Sequence, residues 1–443
     1  MVTKTYGILL LDDGNVTPRA RCISVIVADY SYPSSCLRPG DPEATLAENP
    51  ARLRILQVVP NYYPAVRYGG PIRSVHGLAA ALVRRGHDVH VYTTSLDGPT
   101  DLDVPLDRPV ELDGVKVHYF KVPALRRLFW SPALKRRLRQ SVGAFDAVHV
   151  HAVYLCPTLA AAREAARARV PYVVAPRGML IREAINRKSR WVKTAWINCF
   201  ERKSLAQAAA IHVTAEIEAD ELEWLQLPPR HVACIPNGVQ FPRDDAALPT
   251  GPYAHLPPRF VLFLSRINWK KGLDRLIAAW RFVPDMALVI AGNDEEGYQK
   301  QLLQQVRELG LSDRIIFLGP VEDAHKWALF NQAQLFVLPS YSENFGNVVA
   351  EAMSMGCPVA VTPEVGIASL VEAAGAGIVA DGEPGKFSTA VRALLARPAD
   401  LRAMGQRGRR AARDRLSWDA VAGETETLYR NIIRKQQVIG VAS

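Results

Sequence analysis

Two carboxylates eight residues apart, Glu343 and Glu351, stand in the stretch Pro339-Ser340-Tyr341-Ser342-Glu343-Asn344-Phe345-Gly346-Asn347-Val348-Val349-Ala350-Glu351. The apolar run 335–338 before it reads as a buried strand. Helical spacing takes over near Gly346, so a strand ends, a loop turns and a helix begins. If the whole interval were helical, the two acids would lie about 12 Å apart. That is a long gap for sharing one proton, and it suits gripping two ends of one extended ligand. Between them the free N–H groups around Phe345, Gly346 and Asn347 sit at the positive end of a helix dipole, where a phosphate is favoured.

Basic residues of matching chemistry occur in Arg266-Ile267-Asn268-Trp269-Lys270-Lys271-Gly272-Leu273-Asp274, after one strand and at the start of a helix over 273–280. Arginine forks onto phosphate oxygens and lysine adds a point charge, so together they could offset the charge on a departing diphosphate. An exposed basic turn is the plainer alternative. Gly69-Gly70 follows the first strand and opens a helix, which lets backbone approach an anion closely. In Val148-His149-Val150-His151, alternation puts both histidines on one face at the carboxyl end of a strand, where α/β sites form. With no Asp, Glu or Cys beside them they do not complete a metal set, and packed core histidines are the competing reading. Pro176-Arg177-Gly178-Met179-Leu180 and Gly319-Pro320-Val321 also follow strands, and Gly292-Asn293-Asp294 reads equally as a simple turn.

These residues need a scaffold. The chain has 443 residues, 49% hydrophobic and 22% charged, a globular composition too long for one core, so two domains are expected. A net charge of +10 favours phosphate-rich partners. Six cysteines, at 22, 36, 156, 199, 234 and 357, lack the spacing of a zinc site or a disulfide framework. Cys156, Cys199, Cys234 and Cys357 border apolar runs and are expected to be buried, in a reducing cytoplasm. No run of about 18 apolar residues suggests a membrane span. The run 8–11, followed by Asp12 and Asp13, is too short and acidic for a signal peptide.

Apolar strands alternate with helical stretches from Leu53 onward, at 53–60, 89–93, 115–122, 147–150, 172–175 and 211–214. The rhythm restarts after a proline-rich stretch, at 260–265, 287–291, 315–318, 335–338 and 359–362. That pattern implies α/β architecture with doubly wound parallel sheets in two Rossmann-like domains. The expected organisation is a poorly ordered extension over 1–51, a first domain over 52–235, a second over 236–416, and a final helix over 417–443.

The combination Ser-Glu-Asn-Phe-Gly-Asn, Glu-Ala-Met and Gly356-Cys357-Pro358-Val359, with Arg-x4-Lys-Gly at 266–272, resembles the retaining glycosyltransferases of family 4, the "group 1" class. The likeness covers about residues 53–435. It implies the GT-B fold, with the two domains facing across a cleft. It also implies transfer of a sugar from a nucleotide-diphosphate donor to an acceptor hydroxyl with retained configuration, and no cofactor or metal. By resemblance Glu343 meets the donor sugar, Glu351 the ribose hydroxyls, and Arg266 and Lys271 the pyrophosphate. Gly69 and Gly70 form a loop near the phosphates, Asn344 to Asn347 complete the donor loop, and Val321 lies where relatives hold the nucleobase against backbone. A histidine facing the transferred sugar falls on His151, so His151, Glu343, Arg266 and Lys271 are the catalytic candidates. Arg177, in a segment like that of a polysaccharide-building subgroup, and His149 point to the acceptor side. In family relatives the final helix crosses back onto the first domain. The alternatives are a GT-B sugar-nucleotide epimerase and a non-catalytic nucleotide-sugar-binding protein.

One further stretch has a different meaning. From Gly114 to Phe145 there are eight Lys/Arg and no acids. Ser131-Pro132 is a good helix start. A basic amphipathic helix over 126–139, with Leu128, Phe129 and Trp130 inserting shallowly, could lie on an anionic bilayer and meet a lipid-linked or glycan acceptor. That would place the protein in the cytoplasm, peripheral on the inner face of the membrane. A solvated basic face is the bland reading, and no recognised motif supports nucleic-acid binding.

Overall fold

The computed structural model describes residues 51–65, 70–182, 185, 190–226, 231–242, 253, 256–294, 296–321 and 323–441. Apart from Ala51, the extension expected over 1–51 lies outside these residues, as does Gly69. From Arg52 onward the chain forms one compact unit holding two large sheets.

The first sheet contains β1 (Arg54–Val58), β2 (Asp88–Thr94), β3 (Val110–Leu112), β4 (Val115–Phe120), β5 (Ala147–His151), β6 (Tyr172–Ala175), β7 (Ala210–Val213) and β8 (Val232–Cys234), in the spatial order β8-β7-β6-β5-β1-β2-β4-β3. Its central strands are buried along their length, as a parallel sheet covered on both faces requires. The edge strand β3 departs from the parallel expectation and pairs antiparallel with β4. The link is the two-residue turn Asp113-Gly114, with both residues at positive φ (50° and 78°). Such a turn matches the natural twist of a hairpin, and Asp-Gly is its sequence signature.

The second sheet contains β9 (Phe260–Leu264), β10 (Ala287–Ala291), β11 (Ile315–Gly319), β12 (Leu335–Leu338), β13 (Val359–Val361) and β14 (Gly377–Val379), all parallel, in the order β11-β10-β9-β12-β13-β14. Two expected architectures, α/β and doubly wound, are thus present in both halves. The helices that matter below are α1 (Gly70–Arg84), α2 (Pro132–Ser141), α3 (Glu216–Trp224), α4 (Leu273–Trp280), α5 (Asn347–Ser354) and α6 (Trp418–Val441).

Two expectations need correction. Of the four cysteines among the described residues, only Cys357 is fully buried; Cys156 is partly exposed, and Cys199 and Cys234 are exposed. Cys234 closes the outermost strand of the first sheet, where one side has no neighbouring strand among the described residues. In the basic segment, Ser131 caps α2 by accepting from Leu134 N, while Leu134 and Leu138 turn into the first core. Phe129 is buried against Leu96 and Val122. The apolar stripe of α2 is therefore spent on the fold, and of the residues expected to insert, only Trp130 is exposed. Lys135, Arg136, Arg137 and Arg139 are exposed on the outer face.

The last helix follows the second sheet yet packs on the first half. Arg85, just past the end of α1, donates to Glu426 at 2.9 Å and to Asp419 at 3.2 Å, and the Tyr429 side chain is buried in the core beneath β5. The Trp418 indole lies against Gly77 of α1 and Gly238, where a side chain at either would collide with it. Alanine normally favours a helix interior over glycine by about 1 kcal/mol. At position 77 the rigid indole reverses the sign: Gly77→Ala is expected to lose about 1–3 kcal/mol through overpacking. Urea unfolding checks this, and an unchanged or raised midpoint would show that Trp418 does not lock α6 onto α1.

Candidate functional site

In the second half, two loops at the carboxyl ends of β9 and β12 carry the charged residues. After β9 the chain makes a tight turn over Trp269–Lys271, which Asn268 caps by accepting from Lys270 N at 3.0 Å. Gly272 then takes a left-handed conformation (φ 67°), and any side chain there would strike the carbonyl of Pro339 in the next loop. Glycine is needed for both reasons. The two loops are joined by Tyr341 N donating to Lys270 O at 2.7 Å, and Arg275 clamps them by donating to Pro339 O at 2.7 Å and Ser340 O at 2.5 Å.

This backbone contact brings Lys271 and Glu343 into an ion pair through Nζ and Oε2. Glu343 is further fixed by its own backbone, which donates to Glu364 O at 3.0 Å and accepts from Gly366 N at 2.9 Å. Gly346 (φ 97°) caps α5, so the helix begins at Asn347 and Glu351 lies one turn in. Glu351 accepts from Lys326 Nζ at 2.9 Å. Lys326 was not singled out from sequence: no motif surrounds it, and only the tertiary fold carries it to Glu351. Phe345 points into the second core, with its carbonyl accepting from Ile367 N at 2.8 Å, so only its backbone is placed for a ligand. Val321 follows β11 and is half-buried against the same core. Arg266 lies exposed two residues after β9.

In the first half, His151 ends β5 and Arg177 follows β6. Arg177 takes a positive φ (56°) and donates to Asn237 Oδ1 at 2.6 Å and to His151 Nδ1 at 3.2 Å. Burial pushes its guanidinium down to about 10. His149 lies behind His151, with its ring nitrogens engaged by Tyr429 Oη at 2.8 Å and His212 Nδ1 at 3.2 Å. Burial first, then the charges of neighbouring cationic groups, holds both His149 and His151 far below the ordinary imidazole range.

The carboxyl ends of the two sheets meet through side chains. Asn237 Nδ2 donates to Asn347 Oδ1 at 3.0 Å, and Asn344 Nδ2 donates to Thr214 Oγ1 at 2.9 Å. Asn344 also reaches Glu218, whose carboxylate accepts from Gly178 N and Thr214 N at 2.6 and 2.9 Å. Gly70, at the start of α1, comes close enough to Asn347 that a Cβ there would lie 3.1 Å from its Nδ2. Thus Gly70, His151, Arg177, Asn344 and Asn347 are gathered where the halves touch, while Lys271 with Glu343 and Lys326 with Glu351 form two separate charge pairs on the second half. Asn237, Thr214 and Glu218 were missed; His212 could have been found from the same alternation in β7 that marked the histidines of β5.

Comparison with known proteins gives two family matches, "Glycosyl transferase 4-like domain" over residues 69–238 and "Glycosyl transferases group 1" over 254–411. A D-inositol 3-phosphate glycosyltransferase of Xylanimonas cellulosilytica is 26% identical over 392 residues, covering 83% of this chain and 93% of its own. Sucrose-phosphate synthase from Thermosynechococcus elongatus superposes with a TM-score of 0.66 at 22% identity, covering 87% of this chain and all (100%) of its own. Anabaena Alr3699/HepE in complex with UDP-glucose gives 0.64 at 22% identity, covering 85% and 99%. The fold is the GT-B arrangement of two Rossmann-like domains.

The histidines carry a pH prediction. Burial pushes His212 down to about 3 from a reference of 6.5. Between those values the unfolded chain takes up a proton that the folded chain refuses. Its stabilising contribution is therefore complete above pH 6.5 and is lost toward pH 3, at about 1.4 kcal/mol per pH unit. His149 and His151 act in the same direction. Unfolding free energies at about pH 7.5 and pH 5.5 should fall more steeply for the wild type than for His212→Gln; equal slopes would show that His212 is not held neutral.

Proposed function

The chain belongs to the group 1 glycosyltransferases, and we propose that it moves a sugar from a nucleoside-diphosphate donor to an acceptor hydroxyl with retention of anomeric configuration. The observation that carries this reading is the paired charge on the second half. Lys271 with Glu343 and Lys326 with Glu351 flank the N-terminus of α5, which presents N–H groups and the positive end of the helix dipole between two carboxylates. A donor with phosphates in its middle and hydroxyls at both ends matches that order: sugar hydroxyls at Glu343, diphosphate at Lys271 and Arg266, ribose hydroxyls at Glu351. Support for a uridine nucleotide comes from the similarity to Anabaena HepE, whose structure is a complex with UDP-glucose.

Retention fits the carboxylates available. On the first half Glu218 is committed to Gly178, Thr214 and Asn344, and so is unsuited to attack the sugar carbon. In the step we favour, the bond from the sugar C1 to the β-phosphate oxygen breaks, the acceptor oxygen bonds C1 on the same face, and its proton passes to the departing phosphate. Lys271, Arg266 and the α5 dipole stabilise the charge on the diphosphate, a role that needs no metal or other cofactor.

The acceptor we favour is a lipid-linked or growing glycan at an anionic membrane surface. None of the described helices is long and apolar enough to cross a membrane. Lys135, Arg136, Arg137 and Arg139 form an exposed basic face beside the exposed Trp130. With Leu134, Leu138 and Phe129 buried, attachment would be chiefly electrostatic, about 1 kcal/mol for each basic residue near the surface.

Two experiments test these readings. Glu351→Ala and Lys271→Ala should each weaken UDP binding roughly ten-fold or more, since a hydrogen bond to a charged group is worth about 1.5–3 kcal/mol, whereas His151→Ala should lower turnover far more than affinity. Unchanged nucleotide affinity in both of the first two variants would remove the donor assignment. The protein should sediment with vesicles containing anionic lipid and be released as salt rises. A glutamine quadruple variant at 135, 136, 137 and 139 should stay in the supernatant while still binding UDP. A wild type that never sediments at low salt would favour a soluble acceptor.

A further inference from the structure

Behind the site lie three imidazoles whose protons can be placed from the chemistry of their neighbours. His212 Nε2 lies 2.9 Å from the carbonyl of Ile235, which can only accept, so His212 carries its proton on Nε2. Held neutral by burial, it must accept on Nδ1. His149 Nε2, 3.2 Å away, is therefore the donor. That leaves His149 Nδ1 to accept, and the Tyr429 hydroxyl donates to it at 2.8 Å. The chain runs one way, from Tyr429 to His149 to His212 to the Ile235 carbonyl.

His151 stands apart from this chain, its ring tilted 32° against that of His149 with centroids 4.2 Å apart. Its Nδ1 faces Arg177 Nη2 at 3.2 Å. A guanidinium has donors only, so His151 Nδ1 accepts. Burial and the Arg177 charge keep the ring neutral, which puts its one proton on Nε2. That Nε2 is buried and has no hydrogen-bond partner among the described residues. A buried, unpartnered N–H at the carboxyl end of a central strand is costly unless something accepts from it. The other arm of Arg177 donates to Asn237, which donates in turn to Asn347 at the start of α5. One side chain thus joins the proton position on His151 to the contact between the halves.

We propose that Arg177 is a positioning residue for the transfer reaction, fixing His151 as the neutral Nε2–H tautomer so that its ring meets the ligand as a hydrogen-bond donor and not as a base. The proposal rests on the glycosyltransferase reading only for its catalytic consequence; the tautomer itself does not depend on it. The group that completes the site is an oxygen acceptor, such as a sugar hydroxyl or ring oxygen.

The test has a spectroscopic arm and a kinetic arm. In the full chain with 15N-labelled histidine rings, the His151 signals, assigned by their loss in His151→Gln, should show the proton on Nε2 at neutral pH. Arg177→Met keeps bulk but removes the donors, and should move His151 toward the other tautomer while leaving His149 and His212 unchanged. With the nucleotide sugar that the protein turns over, Arg177→Met should lower kcat ten-fold or more and change UDP affinity by less than about three-fold. Added to His151→Gln, Arg177→Met should cost nothing further, because its effect passes through that ring. A wild-type His151 that is doubly protonated, or protonated on Nδ1, overturns the proposal even if the Arg177 variant does not fold. So does an unshifted tautomer in Arg177→Met, or full additivity of the two substitutions. A correct tautomer in a protein that binds no UDP would instead sink the donor assignment and leave the proton placement standing.

Discussion

One buried carboxylate holds the meeting point of the two halves. Glu218, in the first turn of α3, accepts from Gly178 N, Thr214 N, Thr214 Oγ1 and Asn344 Nδ2. The first two bonds bind the loops after β6 and β7 to each other, and the last reaches the loop after β12 in the second half. Glu218 sits near the positive end of a helix, where a negative charge is favoured. With four donors its charge is satisfied without a direct cation. Removing it would strand donors from three segments at once, a far larger loss than one surface ion pair. The left-handed turn at Arg177-Gly178 follows from the same constraint. A side chain at Gly178 would run into Asn344, so glycine lets the loop approach closely enough for its N–H to reach Glu218.

A similar close approach governs the second half. Gly272 lies against the Pro339 carbonyl and Gly366 against that of Asn344, and neither place has room for a Cβ. These contacts set the spacing of the loops after β9, β12 and β13, and the spacing sets the reach of Lys271 to Glu343. The charged residues therefore owe their pairing to glycines packed against neighbouring backbone. The terminal helix plays the corresponding part for the first half: Trp418 covers Gly77 and Gly238, and Tyr429 supplies the proton that starts the histidine chain.

Much of this was legible in the sequence because the signals are local. Apolar runs marked most strands, and α4 begins at Leu273 and α5 at Asn347, where the loop motifs end. Lys271, Glu343 and Glu351 lie within such motifs. Their partners were legible only in part. Lys326, Asn237 and Thr214 carry no local pattern, because what defines them is contact across tens of residues of chain. The short strands β8 and β14 have three residues each, too few for periodicity to register. The Asp113-Gly114 turn did carry a signal, yet β3 beside it is only three residues long, with Glu111 at its centre. Phe129 was misplaced for a related reason. Aromatic residues beside a basic helix read alike whether they face lipid or a satellite core, and only Leu96 and Val122, brought from elsewhere in the fold, decide between the two.

The Lys271–Glu343 pair also bears on how a phosphate ligand would be received. A bare lysine in that loop would lose rotamer freedom on binding, at a cost of about 0.5–1.5 kcal/mol per immobilised side chain. Here that freedom is already restricted in the folded state, since Lys271 is paired and its loop is clamped by Arg275 and Gly272. An ammonium carries three donors and the pair engages Nζ through one carboxylate oxygen, so Lys271 keeps capacity for a second anion. Glu343 would then stand beside that anion, and like charge opposes it. Two features soften the repulsion. The N-terminus of α5 lies four residues on from Glu343, with Asn347 as its first residue. Arg266 is exposed in the loop that carries Lys271. For a ligand with both phosphate and hydroxyls, Glu343 gains by accepting from a hydroxyl while Lys271 turns its remaining donors to phosphate. A free phosphate offers Glu343 only repulsion. On the proposed donor reading, the pair would favour ligands that carry both groups on one skeleton, through charge placement already present before anything binds.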